Sequence, residues 1–157
     1  MKQTSDIKNA SRVVVVLPYQ GDRLLMQLRD FKTTILFPGC WGFFGGTIEP
    51  GEDPKASAMR EVIEELGFHP KSLEPLEEEH IPELGNIFSY AYFCELTVPV
   101  EKLVLTEGLD LGLFTLEQIQ STQLYSKKLD TKVKVVPSPH MARIAKKMFD
   151  RVKNGKP

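Results

Sequence analysis

Apolar residues recur along this chain in two different periods, and the switches between them outline its elements. Arg12 to Tyr19 and Arg23 to Arg29 read as strands on either side of the turn residues Gln20-Gly21-Asp22. Phe31 to Cys40 contains Phe-Pro-Gly and reads as a loop, and Trp41 to Thr47 reads as a further strand. Leu76 to Leu84 is a strand interrupted by Pro82. Ile87 to Thr97 alternates aromatic residues, and Leu103 to Thr106 and Leu111 to Phe114 are short strand candidates. Three stretches have helical spacing instead. One follows Asp53-Pro54. A second begins at Thr115, which forms a capping box with Gln118, while Phe114 and Ile119 form a hydrophobic staple. A third starts at Ser138-Pro139 and runs to about Lys153, with Met141, Ile144, Ala145, Met148, Phe149 and Val152 on its apolar stripe. This order predicts an α/β fold, a mixed sheet with helices on both faces.

The helix after Asp53 has the most unusual polar pattern. Asp53 as N-cap, Pro54 at the first helical position and Gly67 just past the end set its limits. At about 100° per residue, Ala56, Met59, Val62, Ile63 and Leu66 fall on one face, with Arg60, Glu61, Glu64 and Glu65 on a different arc. Glu61 sits at helical spacing from both Glu64 and Glu65, and each like-charge pair costs roughly 0.2–0.5 kcal/mol. Glu64 and Glu65 also lie at the end of the helix where its dipole disfavours anions, by about 0.3–1 kcal/mol each. A bound cation would offset both costs, and carboxylate oxygens are the ligands that Mg²⁺ and Mn²⁺ prefer. A Glu-rich helical face taken alone is more often simply solvated, so the wider pattern decides between the two.

That pattern is GTIEPGEDPKASAMREVIEELGF, from Gly46 to Phe68. Its Gly46, Glu52, Arg60-Glu61, Glu64-Glu65, Gly67 and Phe68 match the Nudix box, and the chain resembles a Nudix hydrolase. The resemblance implies a Nudix-type α/β/α sandwich with a mixed β-sheet. It also implies metal-dependent cleavage of a pyrophosphate linkage in a nucleoside diphosphate joined to another group, with Mg²⁺ as cofactor and Mn²⁺ as the alternative. Carried over by position, Glu61, Glu64 and Glu65 are the implied metal ligands, with Glu61 or a neighbour also helping to deprotonate water. Glu52 and Arg60 are the implied pair that orients the helix against its preceding loop. Gly45 matches the position whose carbonyl completes the metal shell. The chemistry asks for such groups, because a cation between carboxylates and phosphate oxygens reverses the repulsion between them and polarises phosphorus. Nudix hydrolases often place a further acid downstream, for which Glu107 is the candidate and Asp110 and Glu95 its competitors. A homodimer is the assembly implied at family level.

Substrate contacts are less defined. Arg29 lies near the loop before the box, placed to meet phosphate or sugar, and Phe31, Trp41 and Tyr92 are aromatic candidates for stacking on a base. Core packing explains Tyr92 and its strand neighbours Phe88 and Tyr90 equally well. A nucleotide-derived small molecule is therefore the expected partner. The alternative is a catalytically silent Nudix-fold module that binds a nucleotide without cleaving it.

Composition narrows the setting. A chain of 157 residues is expected to form a single domain, 1–157, burying roughly two thirds of its unfolded surface. A formal net charge of -1 and a pI near 6.3 argue against nucleic acid as a partner. The two cysteines, Cys40 and Cys94, form no CxxC motif and suggest neither zinc nor a disulfide scaffold. The start, MKQTSDIKNASR, lacks the apolar stretch of a secretory leader, and the apolar runs are too short for a membrane span. The expected location is cytoplasmic.

Overall fold

In the computed structural model, which describes residues 7–35 and 37–155, a seven-stranded mixed sheet lies between helices on its two faces. The strands are β1 (Ser11–Gln20), β2 (Arg23–Leu28), β3 (Trp41–Gly42), β4 (Phe44–Thr47), β5 (Glu74–Ile81), β6 (Ile87–Glu95) and β7 (Asp110–Thr115). The helices are α1 (Pro54–Leu66), α2 (Leu116–Gln120) and α3 (Pro139–Asn154). A separate hairpin joins β8 (Gln123–Ser126) to β9 (Thr131–Lys134). The first six residues, MKQTSD, on which part of the leader reading rests, lie outside the described residues.

β1 organises the sheet. It runs parallel to β6 along its whole length, its N-terminal half pairs antiparallel with β4, and its C-terminal end pairs with β2. Period-2 alternation sends Val14 and Val16 to one face and Leu17 to the other. The first face packs under α1, with Phe44, Ala58, Val62, Leu66 and Tyr92. The second packs under α2 and α3, with Leu24, Met26, Trp41, Phe93, Phe114, Ile144 and Met148. Each of these aliphatic side chains contributes about 1.5–3 kcal/mol by leaving water.

Several predicted bounds shift for identifiable reasons. The strand expected over Trp41 to Thr47 is two strands, because the chain crosses at Phe43 from pairing with β2 to pairing with β1. β5 ends at Ile81, and Pro82 opens a short 3₁₀ turn, Pro82–Leu84, rather than interrupting a strand. Leu103 to Thr106 is not a strand: its amides turn to the end of α1, with Val104 N donating to Leu66 O (3.0 Å) and Thr106 N to Glu65 O (3.2 Å). The β8–β9 hairpin was not anticipated. It is held down by the buried Asp110, whose carboxylate accepts from Ser126 Oγ at 2.7 Å and Lys128 N at 3.3 Å.

Candidate active site

Helix α1 begins and ends as its sequence dictates. The Asp53 carboxylate accepts from Lys55 N (3.1 Å) and Ala56 N (3.2 Å), and Gly67 adopts the left-handed conformation at φ 62° with its N–H on Ile63 O. Its buried face is rotated from the predicted one. Ser57, Ala58, Val62 and Leu66 are buried, whereas Ala56 and Ile63 are exposed. Tertiary packing thereby brings the Glu61 and Glu65 edge of the helix against the sheet, and leaves Glu64 nearer solvent with its side chain 58% exposed.

Two glycines allow this approach. A Cβ on Gly46 would collide with the Glu61 carboxylate, and one on Gly45, at φ 147°, would collide with the Val14 carbonyl. Gly45 N donates to Glu65 Oε2 at 3.0 Å, so Gly45 meets the helix through its amide. Arg60 forms a fork on Glu52, Nε to Oε2 at 2.9 Å and Nη2 to Oε1 at 3.0 Å. Its Nη1 also donates to Glu61 Oε1 (3.1 Å) and Glu64 Oε2 (3.3 Å). One guanidinium thus meets three carboxylates. Its hydrogen bonds hold Glu52 down at a pKa of about 2.

Glu65 is in the opposite condition. Burial pushes its pKa up to about 8, with the Glu61 charge adding to the rise, against the opposing Gly45 amide, Gln27 and Arg29. Burial raises Glu61 as well, with Arg60 opposing. Arg29 is lowered from its usual value by burial, countered by Glu65 and Glu107. The donor set is therefore all oxygen, two of its carboxyls are desolvated, and it lies beside a glycine loop that permits close approach. Such a set suits a hard divalent cation.

The predicted residues separate into two groups. Glu52, Arg60, Glu61, Glu64, Glu65, Gly45 and Arg29 are brought together, and the exposed Glu107 lies in a loop beside them. Its loop is tied to α1 by Thr106 Oγ1 on Glu64 O (3.0 Å) and to the loop after β2 by Gly108 N on the Asp30 carboxylate (3.2 Å). Asp110 turns to Ser126 and the hairpin, and Glu95 lies at the far end of β6 beside Tyr19, so neither competitor reaches this group. Trp41 needs correction: it is fully buried, its Nε1 donates to Leu124 O (3.1 Å), and it packs edge-on against Phe114. No face of its ring is open to a base. Tyr92 also needs correction, since it is buried in the core beneath α1. Phe31 is 61% exposed, next to Gly39. Gln27 was missed. It is buried, donates from Nε2 to Phe43 O (3.2 Å) and hydrogen-bonds Glu65. One amide inside the apolar run Leu24 to Leu28 was the available signal.

A second acidic group lies elsewhere. Among the described residues, Glu77, Glu79 and His140 bring ligand atoms within 4.8 Å of one another. Arg143 bonds both oxygens of Glu77 at 3.0 Å and also pairs with Glu79, while Lys147 reaches Glu77 at 3.3 Å. This cluster carries its own countercharge and fastens α3 to β5.

Comparison with known proteins agrees with the geometry. The family model of the NUDIX domain matches residues 8–134, and the chain belongs to the Nudix family. It is 36% identical over 66 residues to Nudix hydrolase 25 of Arabidopsis thaliana, covering 42% of this chain and 34% of that protein. It is 35% identical over 65 residues to an RNA pyrophosphohydrolase of Roseobacter denitrificans, covering 41% of this chain and 38% of that one. The chain thus spans little more than a third of these relatives' lengths. Among solved structures, the MutT protein from Methanosarcina mazei Go1 superposes with a TM-score of 0.65 at 21% identity, over 94% of this chain and 96% of that one. A MutT/nudix family protein from Enterococcus faecalis does so at 0.67 and 18% identity, over 93% of this chain and 63% of that one. These similarities show that the fold is shared.

Proposed function

We propose that this chain hydrolyses a pyrophosphate linkage in a nucleoside diphosphate joined to another group. The observation that carries this reading is the convergence of two desolvated carboxyls, Glu61 and Glu65, on the Gly45–Gly46 loop at the edge of a cavity that Arg29 also lines. Glu61, Glu64 and Glu65 would hold Mg²⁺ or Mn²⁺, with Glu107 as the downstream ligand. When bound, the ion supplies positive charge against the phosphate oxygens and makes water more acidic.

The remaining work falls to the chain. Arg29 positions a phosphate by charge, and the exposed Phe31 is the remaining aromatic candidate for stacking on a base. Glu52 holds Arg60, and Arg60 keeps Glu61 and Glu64 in place. Glu61 accepts the proton of the attacking water as oxygen bonds to phosphorus, the bridging P–O bond breaks, and two phosphate-bearing products leave. The chain acts as one Nudix domain.

A panel of nucleoside diphosphate derivatives, assayed with Mg²⁺ and with Mn²⁺, tests this reading. Glu65→Gln should reduce turnover by at least about 100-fold while circular dichroism stays native. Wild-type rates in that variant would overturn the metal assignment. A folded wild-type protein that binds nucleotides but cleaves none of the panel would favour the silent binding module instead.

A further inference from the structure

The β8–β9 hairpin keeps the period of two on both strands. Leu124 and Val133, directly opposed, pack inward, and Ser126 is buried. Gln123, Tyr125, Lys132 and Lys134 alternate to the outer face, where Tyr125 pairs with Lys132 and Gln123 with Lys134. Lys127 and Lys128 follow in the turn, both exposed. Residues 123–134 hold four lysines, one aspartate and no arginine, a local charge of +3 in a chain of net charge -1. Among the described residues, none of these lysines forms an ion pair. Asp130 accepts from the Tyr125 hydroxyl. Asp110, beneath the turn, is buried and taken by Ser126 Oγ and Lys128 N.

Lysines on strands commonly guard a sheet edge against pairing with another chain. That role accounts for Lys132 and Lys134. It does not account for Lys127 and Lys128, which lie outside both strands, or for Tyr125, an aromatic ring 47% exposed in their midst. Uncompensated like charges repel one another, and an anionic partner relieves the repulsion.

Residue types narrow the partner. A carboxylate-bearing peptide is best held by the arginine fork, and the hairpin has none. An anionic membrane rewards buried apolar area, and within the hairpin only Tyr125 and Leu129 are exposed large apolar side chains. Lysine acts on phosphate as a point charge, and an exposed ring takes an unpaired base on its face. Two residues along a strand span about 6.8 Å, so Lys132 and Lys134 meet a phosphate backbone at separate points. A groove of about 420 Å³, lined by Gln123 and Lys134 together with Pro137 and Pro139, adjoins this face.

We propose that the outer face of the β8–β9 hairpin binds single-stranded nucleic acid, with Lys127, Lys128, Lys132 and Lys134 on the phosphates and Tyr125 stacked on a base. The net charge of -1 averages this face with the acidic remainder of the surface, so it does not oppose local binding. Binding here requires no turnover at the carboxylate site.

Fluorescence anisotropy of a labelled oligouridylate of about 12 nucleotides, without a 5′-phosphate, tests the assignment over a series of salt concentrations. Affinity should fall with salt at a log–log slope of about -3, the counterion release expected for four phosphates of a single strand. The double substitution Lys132→Gln and Lys134→Gln should roughly halve that slope. Tyr125→Ala should weaken binding by at least about fivefold with the slope kept, and Tyr125→Phe should retain it. Circular dichroism should stay native throughout, because all of these side chains are exposed. Absence of binding at the lowest salt, or equal binding by wild type and the double lysine variant, overturns the proposal. So does tighter binding to a polyglutamate peptide or to phosphatidylserine vesicles than to the oligonucleotide.

Discussion

Arg60 meets Glu52, Glu61 and Glu64 at once, and its planar guanidinium does so while holding Glu52 by a two-pronged fork that an ammonium cannot form. Lysine keeps the charge but loses the two-pronged contact on Glu52, so Glu61 and Glu64 lose their fixed position. Groups that orient metal-binding carboxylates typically matter by 10–100-fold. We expect Arg60→Lys to lower Mg²⁺-dependent turnover by about tenfold or more with little change in thermal melting. Unchanged kcat/KM across the substrate panel would show that the fork is not needed. The residue types of this network were legible in the sequence, because Glu52, Arg60, Glu61, Glu64 and Glu65 stand at recognisable spacing. Gln27 was not, since a single amide in an apolar strand has no local feature that points to Glu65.

At the scale of the element, α1 shows how far local rules reach. Its N-cap, its Pro54 start and its Gly67 end are set by backbone groups within a few residues, and they were legible from sequence. Replacing the Asp53 cap removes two hydrogen bonds to the first turn. Asp53→Ala should lower unfolding stability by about 1 kcal/mol in a urea titration, and a loss below about 0.3 kcal/mol would mean that the first turn is held by other contacts. The face that α1 buries followed a different logic. Periodicity put Ala56 and Ile63 inward together with Val62 and Leu66, yet the sheet buries Ser57 and Ala58 beside those last two and draws Glu61 and Glu65 with them. An apolar stripe this broad permits more than one rotation, and only the partner surface chooses.

Across the whole molecule, charge is distributed by pairing. The basic residues of α3 are largely engaged: Arg143 and Lys147 with Glu77, Lys146 with Asp150, and Arg151 over the Phe93 ring. Arg143 holds the Glu77 carboxyl down at a pKa of about 2, below its ordinary 4.5. A lowered carboxyl stabilises the fold above about pH 4.5, and that contribution is lost as pH falls toward 2. Stability measured by urea titration should therefore fall between about pH 4.5 and 2, and Glu77→Gln should flatten the fall. Parallel pH curves for the two proteins would mean that the clamp between α3 and β5 contributes nothing. No helix among the described residues is long and apolar enough to cross a membrane.

Sequence alone determined the main strands and helices other than the β8–β9 hairpin, the caps of α1 and α2, and the membership of the acidic box, because each depends on spacing within one or two turns of chain. Tertiary structure decided which box carboxyls are desolvated, that the loop carrying Glu107 lies beside them while Asp110 and Glu95 point elsewhere, and that Trp41 and Tyr92 serve the core. Burial and proximity between residues far apart in the chain arise only when the sheet closes, and no local pattern encodes them.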